Sequence, residues 1–336
     1  MTRAPRDASR APPLRFGTYP TPVEPLPSLS NASTGLWIKH DDRTSTLYGG
    51  NKVRKLEHIL AQAKARGAER LVTMGAVGSH HVLATAIYGR QFGFEVEAVL
   101  VPQPRTDHAV ANVRAGLAQG LRVFPVSTYA GVPPRVVSRL LVPGAFLVPP
   151  GGSSLAGAMG YVEAAHELAS QVRSGQLPEP DLVVVAAGSG GTAAGLAAGL
   201  ALEGLRSRVV GVSVTPPTAL LGAYTRMLAL RCLRAAGAPD EDVPARLSLE
   251  GGYLGAGYGH PTQEGADATE RAAAVGIELD ATYTAKAFAA ALDLVGAARV
   301  ATILYWHTLS TASMEPLLQG APQEEALPLG VRRLLL

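Results

Sequence analysis

One cysteine, Cys232, is present in 336 residues. An internal disulfide framework is thereby excluded, and so thiol-poor a chain fits a reducing, cytoplasmic compartment. Cys232 stands in an apolar helical stretch, where packing is its expected role. Excess charge is also scarce. The formal net charge is +3 and no basic run exceeds two residues, so a pI near 9.0 gives no ground for a nucleic-acid partner. No apolar run approaches the ~20 residues of a membrane span, and no membrane partner is expected. Met1 to Pro13 carries Arg3, Arg6 and Arg10 without the apolar stretch of a signal peptide, and disorder is expected there. There is no repeat at solenoid periods. Several catalytic signatures are missing as well. Without His-Glu-x-x-His or a cysteine cluster, no metal is expected. Without Gly-x-Ser-x-Gly, a Ser-His hydrolase lacks its elbow. No Lys-Ser or Lys-Thr follows a glycine loop, which excludes a P-loop.

Nearly half of the residues, 47%, are apolar, and the length suits two domains of roughly 150 residues each. Pro20, Pro22, Pro25 and Pro27 suit an extended surface segment over 14–35. Strands are predicted at Leu36–Lys39, Arg70–Met74, Glu95–Val101, Leu121–Val126, Asp181–Ala186, Arg208–Val214 and Val300–Trp306. Helices are predicted from Lys52 towards Gly67, and at His80–Phe92, His108–Gln119, Leu155–Val172, Thr192 towards Gly204, Thr218–Ala236, 263–275 and 284–296. A loop-rich section precedes Ser154, and 237–262 is rich in Gly and Pro. Helices alternating with short apolar strands signal α/β architecture with parallel sheets and right-handed crossovers.

Tyr48-Gly49-Gly50-Asn51-Lys52-Val53-Arg54-Lys55 is the most informative stretch. Two glycines allow a tight turn, Asn51 is a favourable N-cap, and Val53, Leu56, Ile59, Leu60 and Ala63 mark one buried helix face. A lysine held at such a helix start is either an ordinary surface lysine or a Schiff-base lysine. A second loop, Gly188-Ser189-Gly190-Gly191-Thr192, leaves an apolar strand and opens a helix, the arrangement of a phosphate site. Dinucleotide binding would need an acidic residue at the end of the next strand, where Val212-Ser213-Val214-Thr215 stands instead. A third strand-to-helix turn, Gly78-Ser79-His80-His81, suits an anion. Its adjacent histidines diverge by about 100° on a helix and fit one metal ion poorly.

Together these motifs resemble the D-cysteine desulfhydrase and 1-aminocyclopropane-1-carboxylate (ACC) deaminase family. These are pyridoxal-phosphate (PLP) enzymes of fold type II, the tryptophan synthase β-like fold. The resemblance rests on Gly49-Gly50-Asn51-Lys52-x-Arg54-Lys55-Leu56-Glu57, Ile38-Lys39-His40-Asp41-Asp42, Pro149-x-Gly151-Gly152-Ser153 and Gly160-Tyr161-Val162-Glu163. It extends to Gly188–Thr192 and Asp280-x-x-Tyr283-Thr284-x-Lys286-Ala287, covering about residues 14–312.

The resemblance implies a small domain over 50–155 and a large one built from 1–49 and 156–336, with the cofactor at the carboxyl ends of parallel strands. It implies a homodimer and a small amino-acid substrate. Lys52 would carry PLP as a Schiff base and move the Cα proton. Asn51, Lys55, His80 and Gly188, Ser189, Gly190, Gly191 and Thr192 would hold the cofactor, with Thr284 on the pyridine nitrogen. Ser79 and Tyr283 would join in catalysis. Ser79, His80, His81, Tyr258, Tyr283 and Thr308 would meet the substrate.

Thr284 and Thr308 stand where the deaminase branch has glutamate and leucine, and both match the desulfhydrase branch. A hydroxyl partner implies an unprotonated ring nitrogen and a weaker electron sink. This favours α,β-elimination from an amino acid with a β-leaving group, giving a keto acid and ammonia. Three departures bear on substrate: His80 replaces an asparagine, Leu309-Ser310 replaces Gly-Gly, and Val82-Leu83 stands where the motif has arginine. They motivate the alternative of a repurposed PLP-binding member with another substrate or none of the family's turnover.

Overall fold

Apolar strands of three to seven residues alternate with helices through most of the chain, and their burial dictates two parallel sheets. The computed structural model describes residues 11–239 and 243–336, so the first ten residues of the terminus expected to be disordered lie outside it. The chain opens with β1 (Val23–Pro25) and β2 (Gly35–His40) and then enters α1 (Lys52–Ala65). Next come β3 (Arg70–Ala76), α2 (His80–Gln91), β4 (Glu95–Val101), α3 (Asp107–Ala118), β5 (Arg122–Pro125), α4 (Val132–Leu140) and β6 (Ala145–Leu147). They are followed by α5 (Leu155–Arg173), β7 (Leu182–Ala187), α6 (Gly191–Leu202), β8 (Arg208–Ser213), α7 (Thr218–Ala235), α8 (Val243–Arg246) and β9 (Leu247–Glu250). Then come α9 (Gln263–Ala273), α10 (Thr284–Ala297) and β10 (Thr302–His307), and the short helices α11 (Glu315–Leu318) and α12 (Leu329–Arg332) close the series.

These elements form two compact units. The smaller takes residues 11–16, Lys55–Gly152 and Ser313–Leu336, and holds a four-stranded parallel sheet ordered β5-β4-β3-β6. The larger takes Gly17–Arg54 and Ser153–Ala312. Its six-stranded sheet is ordered β1-β2-β10-β7-β8-β9 and is parallel except for β1. Along β7 the side chains alternate between two cores. Val183 and Val185 face a cluster with Leu168, Leu196, Leu200 and Trp306, where Cys232 is also buried. Val184 and Ala186 face another with Phe288, Leu292, Ile303 and Tyr305. Burial pushes the Cys232 thiol up to about 12, as suits a packing residue.

Five elements fall in stretches expected to lack them. β1 lies in the proline-rich extended segment, α4 and β6 in the loop-rich section, and α8 and β9 in the Gly- and Pro-rich stretch. Strands of three or four residues are too short to display a period. In α4 the pair Pro133-Pro134 resembles a breaker, yet proline suits a first helical turn. Val132, Val136 and Leu140 then pack at i, i+4 and i+8 against Val72 and Val99.

A buried ion network organises the larger unit. The Arg54 guanidinium donates to both Asp41 oxygens, at 3.0 and 2.9 Å, and to both Glu167 oxygens, at 3.0 and 3.1 Å. Lys39 Nζ donates to Glu167 Oε1, to Gln171 Oε1 at 2.7 Å and to the Thr21 carbonyl at 2.7 Å. Tyr161 donates to Asp41 Oδ2 at 2.6 Å. Burial by itself would raise the Asp41 carboxyl, but Arg54 outweighs it and holds the group below the ordinary carboxylate range. Replacing Arg54 by methionine leaves two buried carboxylates facing one lysine. The expected loss is about 3–5 kcal/mol of unfolding free energy, read from urea denaturation at pH 7. A loss below about 1 kcal/mol would mean that solvent already screens the network.

Candidate active site

The site in the larger unit is built from the Gly49-Gly50 turn outward. Gly50 has φ +84°, and a Cβ there would meet the Thr308 carbonyl oxygen at 2.6 Å. The turn is held on two sides. Gly50 N–H donates to the Asp41 carbonyl at 2.9 Å, and Asn51 N–H donates to the Thr308 carbonyl at 3.2 Å. Gly49 N–H donates to Ser310 Oγ at 2.8 Å. Ser310, one of the departures from the family pattern, thus has a defined task in this chain: it satisfies a backbone donor of the lysine turn.

Lys52 begins α1. Its Nζ donates to Asn51 Oδ1 at 2.6 Å, and Asn51 Nδ2 donates to Thr192 Oγ1 at 3.1 Å. The lysine turn and the glycine loop, some 140 residues apart in sequence, are therefore joined through one amide. Desolvation pulls the Lys52 pKa down to about 8, against an opposing pull from the Asp280 charge.

The loop Gly188–Thr192 leaves β7 and opens α6, which places N–H donors and the positive end of a twelve-residue helix at one spot. Gly190 has φ +80°, and a Cβ there would lie 2.2 Å from Thr225 Oγ1. Ser153 Oγ accepts from Gly191 N–H at 3.0 Å and pairs with Ser189 Oγ at 2.7 Å. Tyr224 in turn donates to the Ser153 carbonyl at 2.7 Å. The Tyr283 ring abuts Gly188, where a Cβ would meet Cε1 at 2.8 Å. The Tyr283 and Tyr258 hydroxyls are 2.8 Å apart, with edge-to-face rings. Thr284, buried at the start of α10, is bonded to Asp280. Contacts thus connect Asn51, Lys52, Gly188–Thr192, Tyr258, Tyr283 and Thr308 within one unit, with Thr284 next to Tyr283 in the chain.

Lys55, Ser79, His80 and His81 belong to the smaller unit. Lys55 Nζ donates to the Gly151 carbonyl at 3.1 Å. Ser79 caps α2, its Oγ accepting from Val82 N–H at 3.4 Å. His80 and His108 place their Nε2 atoms 2.8 Å apart. His81 is buried against β3, with Nε2 3.0 Å from Thr73 Oγ1. Sequence reasoning assigned no role to Asp280, Ser153 or Tyr224. The first two stand inside quoted motifs, and that is the signal that could have found them. Tyr224 carries no local signal.

The donor set fits PLP. A partly deprotonated lysine suits its aldehyde, a helix start with bare glycine N–H groups suits its phosphate, and a buried hydroxyl suits its ring nitrogen. The comparisons agree. Residues 14–308 match the model of the pyridoxal-phosphate dependent enzyme family, and the chain belongs to that family. It is 36% identical over 318 residues to nocardicin C-9' epimerase of Nocardia uniformis subsp. tsuyamanensis, covering 91% of this chain and 95% of the relative. It is 35% identical over 317 residues to D-cysteine desulfhydrase of Salmonella typhimurium, covering 89% and 94%. A crystal structure of an ACC deaminase homologue superposes with a TM-score of 0.80 at 30% identity, covering 92% of this chain and 96% of that one. The protein is a PLP-dependent enzyme of the desulfhydrase and deaminase branch, with the fold-type-II architecture of these relatives.

Two measurements test the site. Capture of PLP on Lys52, trapped with borohydride and located by peptide mass spectrometry, should rise about tenfold per pH unit and level off near pH 8. A plateau only above pH ~10, or trapping on Lys39, Lys64 or Lys286, contradicts the assignment. Gly190→Val should drive Thr225 aside, strain a left-handed backbone position and weaken PLP binding at least tenfold, about 1.4 kcal/mol. Fluorescence titration with PLP reads this.

Proposed function

We propose that the protein catalyses α,β-elimination on a small amino acid with a β-leaving group, D-cysteine foremost. D-cysteine and water would give pyruvate, ammonia and hydrogen sulfide. The observation that carries this reading is the Lys52–Asn51–Thr192 link, which puts a low-pKa amine beside an anion-binding helix start. Support for the substrate class comes from the similarity to D-cysteine desulfhydrase.

PLP, when bound, supplies an electron sink conjugated to the substrate Cα. The chain's residues do the rest. Asn51 orients the Lys52 amine, which takes and returns the Cα proton. The backbone of Gly188–Thr192 holds the phosphate, with Ser153 fixing the loop. Thr284 meets the ring nitrogen. Tyr258 and Tyr283, linked through their hydroxyls, form a substrate wall with Thr308, and Tyr283 also serves in proton transfer.

A second reading is epimerisation at an amino-acid stereocentre, favoured by the 36% identity to an epimerase over nearly the whole chain. One experiment separates the two. PLP-loaded protein is incubated with D- and L-amino acids in D2O, and keto acid, ammonia and Cα deuteration are measured. Elimination predicts pyruvate and sulfide from D-cysteine, lost by a factor on the order of a thousand in Lys52→Ala. Deuterium at Cα with inversion and without ammonia supports epimerisation instead. Neither keto acid nor exchange from any member of the panel removes both.

A further inference from the structure

Asp280 lies three residues before Tyr283, and four donors converge on its side chain. Oδ1 accepts from the N–H groups of Thr282 at 2.9 Å and Tyr283 at 2.7 Å. Oδ2 accepts from Thr284 N–H at 3.2 Å and from the Thr284 hydroxyl at 2.7 Å. Three N–H groups and one O–H match the acceptor capacity of an ionised carboxylate. The Asp280 N–H returns a bond to Thr284 Oγ1 at 2.7 Å.

This exchange fixes a direction. A threonine hydroxyl has one proton and two acceptor lone pairs. The Thr284 proton goes to Asp280 Oδ2; the other acceptor for it, the Asp280 carbonyl, is more distant at 3.4 Å. One lone pair is taken by the Asp280 N–H. Towards any further partner, Thr284 can then only accept. An unprotonated pyridine nitrogen is also only an acceptor, and the two would repel. A protonated one is a donor and completes the set.

The geometry points to Asp280 as a positioning residue that turns the Thr284 hydroxyl into an acceptor and so holds the cofactor's ring nitrogen in its protonated form. This rests on the proposal that Thr284 meets that nitrogen. A hydroxyl considered alone is ambiguous, and the expectation of an unprotonated ring came from the hydroxyl alone. With Asp280 behind it, Thr284 relays a negative charge to the ring. A protonated ring withdraws electrons more strongly, so loss of the Cα proton does not depend on simultaneous departure of a leaving group. Substrates with poor leaving groups, or none, come within reach.

The test uses holoenzyme reconstituted with PLP labelled with 15N at the ring nitrogen. Its 15N chemical shift is read in the wild type, Asp280→Asn, Thr284→Ser and Thr284→Val. The expected result is a pyridinium signal at neutral pH in the wild type and in Thr284→Ser. Asp280→Asn keeps an acceptor for Thr282 and Tyr283 but places an amide donor on Thr284, which moves the signal to neutral pyridine. Cα proton exchange of D-alanine, which has no leaving group, should fall on the order of a hundredfold in that variant. A neutral ring in the wild type that still responds to Thr284→Val overturns the inference and leaves the Thr284 contact standing. A pyridinium signal that persists in Asp280→Asn overturns it too. If Thr284→Val changes neither the signal nor PLP affinity, the contact itself is wrong and both fall. If Asp280→Asn does not fold, a neutral ring in the wild type still overturns the inference.

Discussion

The larger unit depends on a charge-balanced knot with Arg54 at its centre. Arg54 and Lys39 supply two cations, and Asp41 and Glu167 supply two anions. Burial is costly for each ion alone, so the four persist only together, with Tyr161, Gln171 and Thr21 completing their hydrogen bonds. A planar, forked guanidinium can serve two carboxylates at once, which a lysine at position 54 could not. The consequence for function is positional. The knot ties the end of β2 and the middle of α5 to the first turn of α1, and Lys52 is two residues before Arg54 in that turn. The placement of the Lys52 amine is inherited from a network in which it takes no part.

Two buried lysines show how surroundings assign opposite tasks to one side chain. Desolvation lowers the pKa of both Lys39 and Lys52. At Lys39 the pull is answered by Glu167 and Asp41 and by two neutral oxygens, so the ammonium is a fixed structural charge. At Lys52 the answer is one amide oxygen and the charge of Asp280. A group near 8 is about one-tenth amine at pH 7 and about half amine at pH 8, far more than an ordinary lysine, and the amine is the form a carbonyl needs.

The family is carried by the scaffold, and the substrate by the residues that vary around it. Ser310 replaces a glycine of the family pattern and satisfies Gly49, so that departure supports the lysine turn. His80 faces His108 in place of the family's amide, which changes the hydrogen-bond chemistry at the start of α2. Relatives at similar identity carry the names of an epimerase and a desulfhydrase.

Local pattern sufficed for much of this molecule. β4 spans Glu95–Val101, as its apolar run predicts, and α2, α5 and α7 lie within a residue or two of their capping and glycine signals. Lys52, Gly188–Thr192 and Thr284 were legible because each motif is a contiguous turn at an element boundary. β1, β6 and β9 were not, because three or four residues carry no period, and α4 was hidden by prolines that its first turn accommodates. Other features had no local signature. Arg54 and Glu167 are 113 residues apart, and Ser153 reaches Gly191 across 38. Composition and spacing determined an α/β chain with a glycine turn before Lys52 and a second glycine loop at a helix start, and the family resemblance of these motifs carried the enzyme reading. Tertiary structure alone decided how far Lys52 is desolvated and towards which oxygen Thr284 turns its proton, because pKa and hydrogen-bond direction belong to a group's surroundings and not to its place in the sequence.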